Sequence, residues 1–151
     1  MKPHFGLRFR ALHWCTEQIM SAALSEMDLT SAQGHMMGFI ARQNAPPCAR
    51  DIEEAFHLSH ATVSGTLSRM ERKGFIEFRP DPGDHRCKRI YILSKGQECH
   101  ERIRQTIDET EARAVRGFTP EEQALFSQFL NRAIDNMGGM PCKMTMKKEE
   151  S

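Results

Sequence analysis

At 151 residues, with 39% hydrophobic and 27% charged side chains, the chain has enough sequence for one globular domain with its own core. Its formal net charge of +1 excludes a uniformly basic nucleic-acid coat, so any affinity for DNA has to come from charge gathered in one region. No apolar run approaches a membrane span and Met1 to Arg8 lacks the apolar stretch of a secretory signal, so the expected location is the cytoplasm, with no membrane contact.

The first predicted element is a helix from Phe5 to Met27, carrying apolar Leu7, Leu12, Trp14, Ile19, Met20 and Leu24, with Asp28 to Thr30 as the break. Ala49 to Leu58 follows as a short amphipathic helix, with Ala49, Ile52, Ala55 and Phe56 at three- and four-residue spacing. Ser59 is a good N-cap for the next helix, whose Val63, Leu67 and Met70 form an inward stripe. The opposite face carries His60, Thr62, Ser64, Thr66, Arg69 and Lys73: short hydrogen-bonding groups near the N-terminus, cations further along. Such a mixture suits base edges and phosphates, and its alternative is a merely solvated face. Gly65 leaves a gap there that permits close approach of another backbone.

Gly74 closes that helix after Arg72 and Lys73. Phe75 to Arg79 and Arg89 to Leu93 read as two strands joined by the Pro- and Gly-containing, charged segment Pro80 to Lys88, which makes a hairpin. Ser94 with Gln97 forms an S-x-x-Q capping box for a helix to Val115, and Thr119-Pro120-Glu121-Glu122 starts a last one. That last helix carries Leu125, Phe126, Phe129, Leu130, Ala133, Ile134 and Met137, too apolar to stand in water alone. Beyond Gly139 the tail, 140–151, has no periodicity and is expected to be disordered.

Charge is unevenly placed. From Ser59 to Arg89 there are seven Lys or Arg against four acids, whereas from Gln97 to Asn136 there are five Arg against eight acids. The basic stretch coincides with the helix-turn-helix and hairpin, the acidic one with the helices that follow.

These segments resemble the MarR family of transcriptional regulators. The resemblance rests on Leu29-Thr30-Ser31-Ala32-Gln33, on Ser59-His60-Ala61-Thr62-Val63-Ser64, on Met70-Glu71-Arg72-Lys73-Gly74-Phe75-Ile76, and on Asp84-His85-Arg86 at the hairpin tip. One departure is that Ser94 stands one place later than the family's usual hydroxyl residue, which puts that helix boundary in question. The resemblance implies a mainly α fold with a small β-wing, a winged helix-turn-helix with flanking dimerisation helices. The expected layout is a single domain over 1–139, with the DNA-binding module at about 30–94, dimerisation helices at about 5–27 and 95–137, and no cofactor. Its expected partners are double-stranded DNA with a palindromic operator and a second copy of the chain, with repression relieved by a small apolar or aromatic effector.

The DNA-binding set expected on this basis is His60, Thr62, Ser64, Thr66, Arg69, Lys73, Arg79, Asp84, Arg86 and Lys88, with Asp84 holding the Arg86 guanidinium. Candidates for the effector crevice are His13, Trp14, Met36, Met37 and Phe39, whose alternative is plain core. Five cysteines, Cys15, Cys48, Cys87, Cys99 and Cys142, with no C-x-x-C pair, argue for reduced thiols rather than a disulfide framework. A redox sensor is the second possibility, at Cys15 or at Cys87, whose neighbours Arg86 and Lys88 make it the more electropositive. The seven histidines lack metal-site spacing, and no phosphate loop, nucleophile elbow or H-E-x-x-H occurs, so neither a metal site nor an enzyme is expected. A winged helix used for protein contacts without an operator is the non-DNA alternative, and salt dependence discriminates the two.

Overall fold

The computed structural model describes residues 4–139, so the expected disorder of 140–151, Cys142 included, lies outside the described residues. Six helices and one hairpin follow in the order α1 (Phe5–Glu26), α2 (Ser31–Ala41), α3 (Ala49–Phe56), α4 (His60–Arg72), β1 (Ile76–Pro80), β2 (Lys88–Ile92), α5 (Ser94–Ala114) and α6 (Pro120–Asn136). The chain parts into two compact units, one ending at Thr110 and the other starting at Glu111.

In the first unit the core gathers Met36, Met37, Ile52, Leu67, Met70 and Phe75, all essentially inaccessible to water. Local chemistry sets where its helices start. The Thr30 hydroxyl accepts from the Gln33 N–H at 3.2 Å while the Gln33 side chain accepts from the Thr30 N–H at 3.1 Å, a reciprocal cap that opens α2. α3 ends at Phe56 rather than at the expected Leu58, because His57 turns left-handed at φ 52°. Ser94 is likewise inside α5 instead of capping it: the carbonyl that opens the helix is that of Leu93, which accepts from Gln97 N–H at 2.9 Å. A tertiary contact fixes this register, since Leu93 N–H donates to the Phe75 carbonyl at 3.0 Å and buried Gly96 lets the first turn of α5 lie against that same carbonyl.

β1 and β2 pair antiparallel, from Ile76 opposite Ile92 to Pro80 opposite Lys88. The far edge of β2 is also occupied, because Ile90 N–H donates to the Pro47 carbonyl at 2.8 Å. The hairpin is thereby stitched to the segment that enters α3.

In the second unit, Thr119 and Glu122 cap α6 reciprocally, Pro120 takes the first turn, and Phe118 packs edge-on against Phe126 at 5.7 Å. No residue of α6 is buried, and Leu125, Phe129 and Met137 are exposed. The N-terminal part of α1 is similarly uncovered, with Phe5, Leu7, Phe9, Leu12 and Trp14 all exposed.

Candidate nucleic-acid interface

α4 is held from one side. Val63, Leu67 and Met70 are buried, as the spacing predicts, and Ser59 caps the helix by accepting from the Thr62 N–H at 3.2 Å. The other end closes as a Schellman turn: Phe75 N–H donates to the Met70 carbonyl at 3.0 Å and Gly74 N–H to the Glu71 carbonyl at 2.9 Å, with Gly74 at φ 77°. Buried Phe75 supplies the apolar contact that accompanies such a turn.

The outward face is smaller than the expected set. His60, Thr62, Ser64 and Arg69 are exposed. Thr66 is a correction: it is buried, and its hydroxyl donates to the Thr62 carbonyl at 2.9 Å. It stands three residues after Val63 and four before Met70, which places it on the apolar stripe. His60 Nδ1 lies 2.6 Å from the Glu53 carboxylate of α3, which aims the ring, and the Thr62 hydroxyl sits 2.9 Å from that of Ser59. The Ser64 hydroxyl has no hydrogen-bond partner among the described residues, and an added Cβ at Gly65 would meet nothing nearer than Arg69 Nη1 at 3.8 Å.

Lys73 is a second correction. Its ammonium donates to the Asp28 carbonyl at 2.6 Å and lies 3.4 Å from the Asp28 carboxylate, so it ties the end of α4 to the α1–α2 turn. Arg79 is also engaged, through Glu77 and over the Tyr91 ring at 4.4 Å. Of the five cations in the expected set, Arg69, Arg86 and Lys88 have no carboxylate partner among the described residues and stay open to phosphate.

The wing tip is organised by Asp81, within the charged turn segment Pro80 to Lys88. One carboxylate oxygen accepts from the Gly83 N–H at 2.7 Å and the Asp84 N–H at 3.2 Å, and the other is bonded to Arg89. The Arg89 bond first, and then the Gly83 N–H, hold the Asp81 carboxyl below its usual range. Arg89 reaches on to the Pro46 carbonyl at 3.3 Å, so one guanidinium joins tip and α3 entry. The Asp84 carboxylate accepts from the backbone N–H of Arg86 at 3.0 Å instead of gripping its guanidinium as expected, because the turn brings the main chain nearer. The Arg86 side chain is exposed at the tip.

The effector candidates do not converge. Met36 and Met37 are core, as their helical spacing allowed, and Phe39 packs edge-on against Phe56 at 5.7 Å. His13 and Trp14 are exposed along α1. A cleft of about 440 Å³ lies elsewhere, between α1 and α5, lined by Ile19, Ala22, Ala23, Glu26, Arg102, Gln105, Thr106 and Glu109. Cys87 is not the activated thiol its cationic neighbours suggested. Burial and the facing thiol of Cys48 push its pKa up, so it carries less thiolate at neutral pH than a free cysteine.

Comparison with known proteins agrees with this architecture. Residues 27–86 match the sequence profile of the MarR family. The HTH-type transcriptional regulator YybA of Bacillus subtilis is 24% identical over 132 residues, 87% of this chain and 85% of YybA. The transcriptional regulator HosA of Escherichia coli O111:H- is 27% identical over 108 residues, covering 72% of this chain and 79% of HosA. Among solved structures, the complex of S. aureus MepR with DNA superimposes with a TM-score of 0.72 at 27% identity, over 85% of this chain and 96% of MepR. Capped recognition helix, stitched wing and these likenesses lead to one conclusion: the chain has the winged helix-turn-helix fold and is similar to the MarR family of transcriptional regulators, whose profile it matches over 27–86.

Proposed function

We propose that the protein works as a homodimer in the cytoplasm, binding a palindromic operator as a repressor that a small apolar or aromatic effector releases. The observation that carries the DNA contact is the sidedness of α4: buried Val63, Thr66, Leu67 and Met70 fix the helix, while His60, Thr62, Ser64 and Arg69 face outward. The N-terminal residues of such a helix meet base edges in the major groove, and Arg86 and Lys88 of the wing reach backbone or minor groove. MepR, a structural neighbour, has been solved with DNA. The layout that goes with this reading is one functional domain over 1–139, with a DNA-reading module at about 30–94 and the flanking helices at about 5–27 and 95–137 joining two copies.

Support for pairing is the uncovered apolar surface of α6 and of the start of α1, which water leaves unfavourable. Two reading helices about one DNA turn apart also need a rigid tie. The α1–α5 cleft gathers its lining, as the dispersed His13, Trp14 and Phe39 do not, and sets Ile19, Ala22 and Ala23 beside the polar side chains of Glu26, Arg102, Gln105, Thr106 and Glu109.

The deciding experiment titrates the full chain against the DNA preceding its own gene at several salt concentrations, with light scattering on the same sample. A dimer bound to an inverted repeat, with affinity falling steeply as salt rises, is expected. A stable monomer, or binding indifferent to salt, overturns the proposal. Transcription from that promoter should rise when the protein is deleted, and a fall would replace repression by activation.

A further inference from the structure

Glu53 and His60 meet across the turn between α3 and α4. Left-handed His57, at φ 52°, ends α3, and Leu58 N–H closes the turn on the Glu53 carbonyl at 3.2 Å. Ser59 then caps α4, so His60 is its first residue and comes back over Glu53, with Nδ1 2.6 Å from the carboxylate. The adjacent acid, Glu54, is engaged by Arg50 at 3.1 Å, which keeps that cation off Glu53. Only 22% of the Glu53 side chain is exposed against 77% of that of His60, so the carboxylate is sheltered while the ring stands out from the helix. The other ring nitrogen, Nε2, has no hydrogen-bond partner among the described residues.

A carboxylate only accepts hydrogen bonds, whereas a neutral imidazole has one nitrogen that donates and one that accepts. The proton therefore stands on Nδ1, and Nε2 keeps its lone pair. We propose that Glu53 is a positioning residue for base recognition: by holding His60 in the Nδ1–H form it leaves Nε2 as an acceptor, which selects a base that carries an amine in the major groove, adenine or cytosine. Adenine N6 and cytosine N4 donate there, while guanine N7 and O6 and thymine O4 only accept and would meet Nε2 lone pair to lone pair. A ring free to carry its proton on Nε2 would make no such choice, because that N–H suits guanine as well. Glu53 thus sets what the start of α4 accepts without touching DNA itself. The base preference rests on the DNA-reading proposal above, whereas the position of the proton does not.

The test titrates the full chain as wild type, E53Q, H60A and the double variant against duplexes of the DNA preceding its own gene, with each base pair of the inverted repeat replaced in turn. Long-range proton–nitrogen NMR correlations at about pH 9, where an imidazole is neutral, read which His60 nitrogen carries the proton. In the wild type His60 should be Nδ1–H, and one base pair in each half-site should favour adenine or cytosine over guanine and thymine by about fivefold or more. E53Q, whose amide donates as well as accepts, should mix the two ring forms and bring that preference close to parity. H60A should remove the preference, and adding E53Q to H60A should change nothing further. An Nε2–H ring in the wild type, a base preference that H60A or E53Q leaves intact, or an E53Q effect that persists in H60A overturns the proposal. A ring held as Nδ1–H in a chain with no base preference at any position upholds the Glu53–His60 lock and overturns the DNA-reading assignment instead.

Discussion

Gly65 is the residue at which stability and DNA binding should move in opposite directions. It lies within α4, where a glycine destabilises the helix by about 0.5–1 kcal/mol relative to alanine. An added Cβ meets nothing nearer than Arg69 Nη1 at 3.8 Å, so Gly65→Ala brings no clash to offset that gain. For a chain of this length about 1 kcal/mol raises Tm by roughly 2–4 °C, so a rise of about 1–4 °C is expected. On DNA the same methyl group occupies the gap between Ser64 and Thr66, where a nucleic-acid backbone must come close if α4 enters a groove. A loss of about 1.4 kcal/mol, or tenfold in Kd, is the corresponding expectation. Differential scanning fluorimetry and fluorescence-anisotropy titration on one preparation measure both. A lower Tm would refute the packing argument, and an unchanged Kd with a raised Tm would refute the placement of this face against DNA.

Gly96→Ala should act in the opposite sense on stability, because its Cβ would collide with the Phe75 carbonyl and lie 2.7 Å from Ile92 Cγ2; a loss of about 1–3 kcal/mol in urea unfolding is expected, and a neutral result would be contrary. Arg86→Ala should weaken operator binding about tenfold and reduce the salt slope by about one unit, with Tm unchanged, since only the backbone of Arg86 supports the tip. His100 gives the pH prediction: burial first, and then Arg42 and Arg104, lower its pKa in the folded chain, and its Nδ1 has no partner among the described residues. The unfolded chain therefore takes up that proton more readily, so its contribution to stability is complete above the usual histidine range and declines as pH falls through it, a slope in Tm that His100→Gln should flatten.

Much of the recognition element was legible because its signals are local. Ser59, Val63, Leu67, Met70 and Gly74 each act within a turn or two, and the cap, stripe and Schellman close fell where those residues predicted. Thr66 was misplaced because its polarity outweighed its spacing, although Val63 three residues before it and Met70 four after it are apolar and buried. Lys73 and Arg79 looked free for the same kind of reason: side-chain charge is visible in a sequence, but its partners at Asp28 and over Tyr91 are not. Arg89 on Pro46 spans 43 residues, so the stitch between the wing and the α3 entry had no sequence signal.

Phe75 is where three elements lock: its N–H closes α4, its carbonyl receives Leu93 ahead of α5, and Gly96 clears the space between. A change at any one of the three is therefore felt at the other two: closing the space at Gly96 would disturb the end of α4 and the carbonyl that receives Leu93 together.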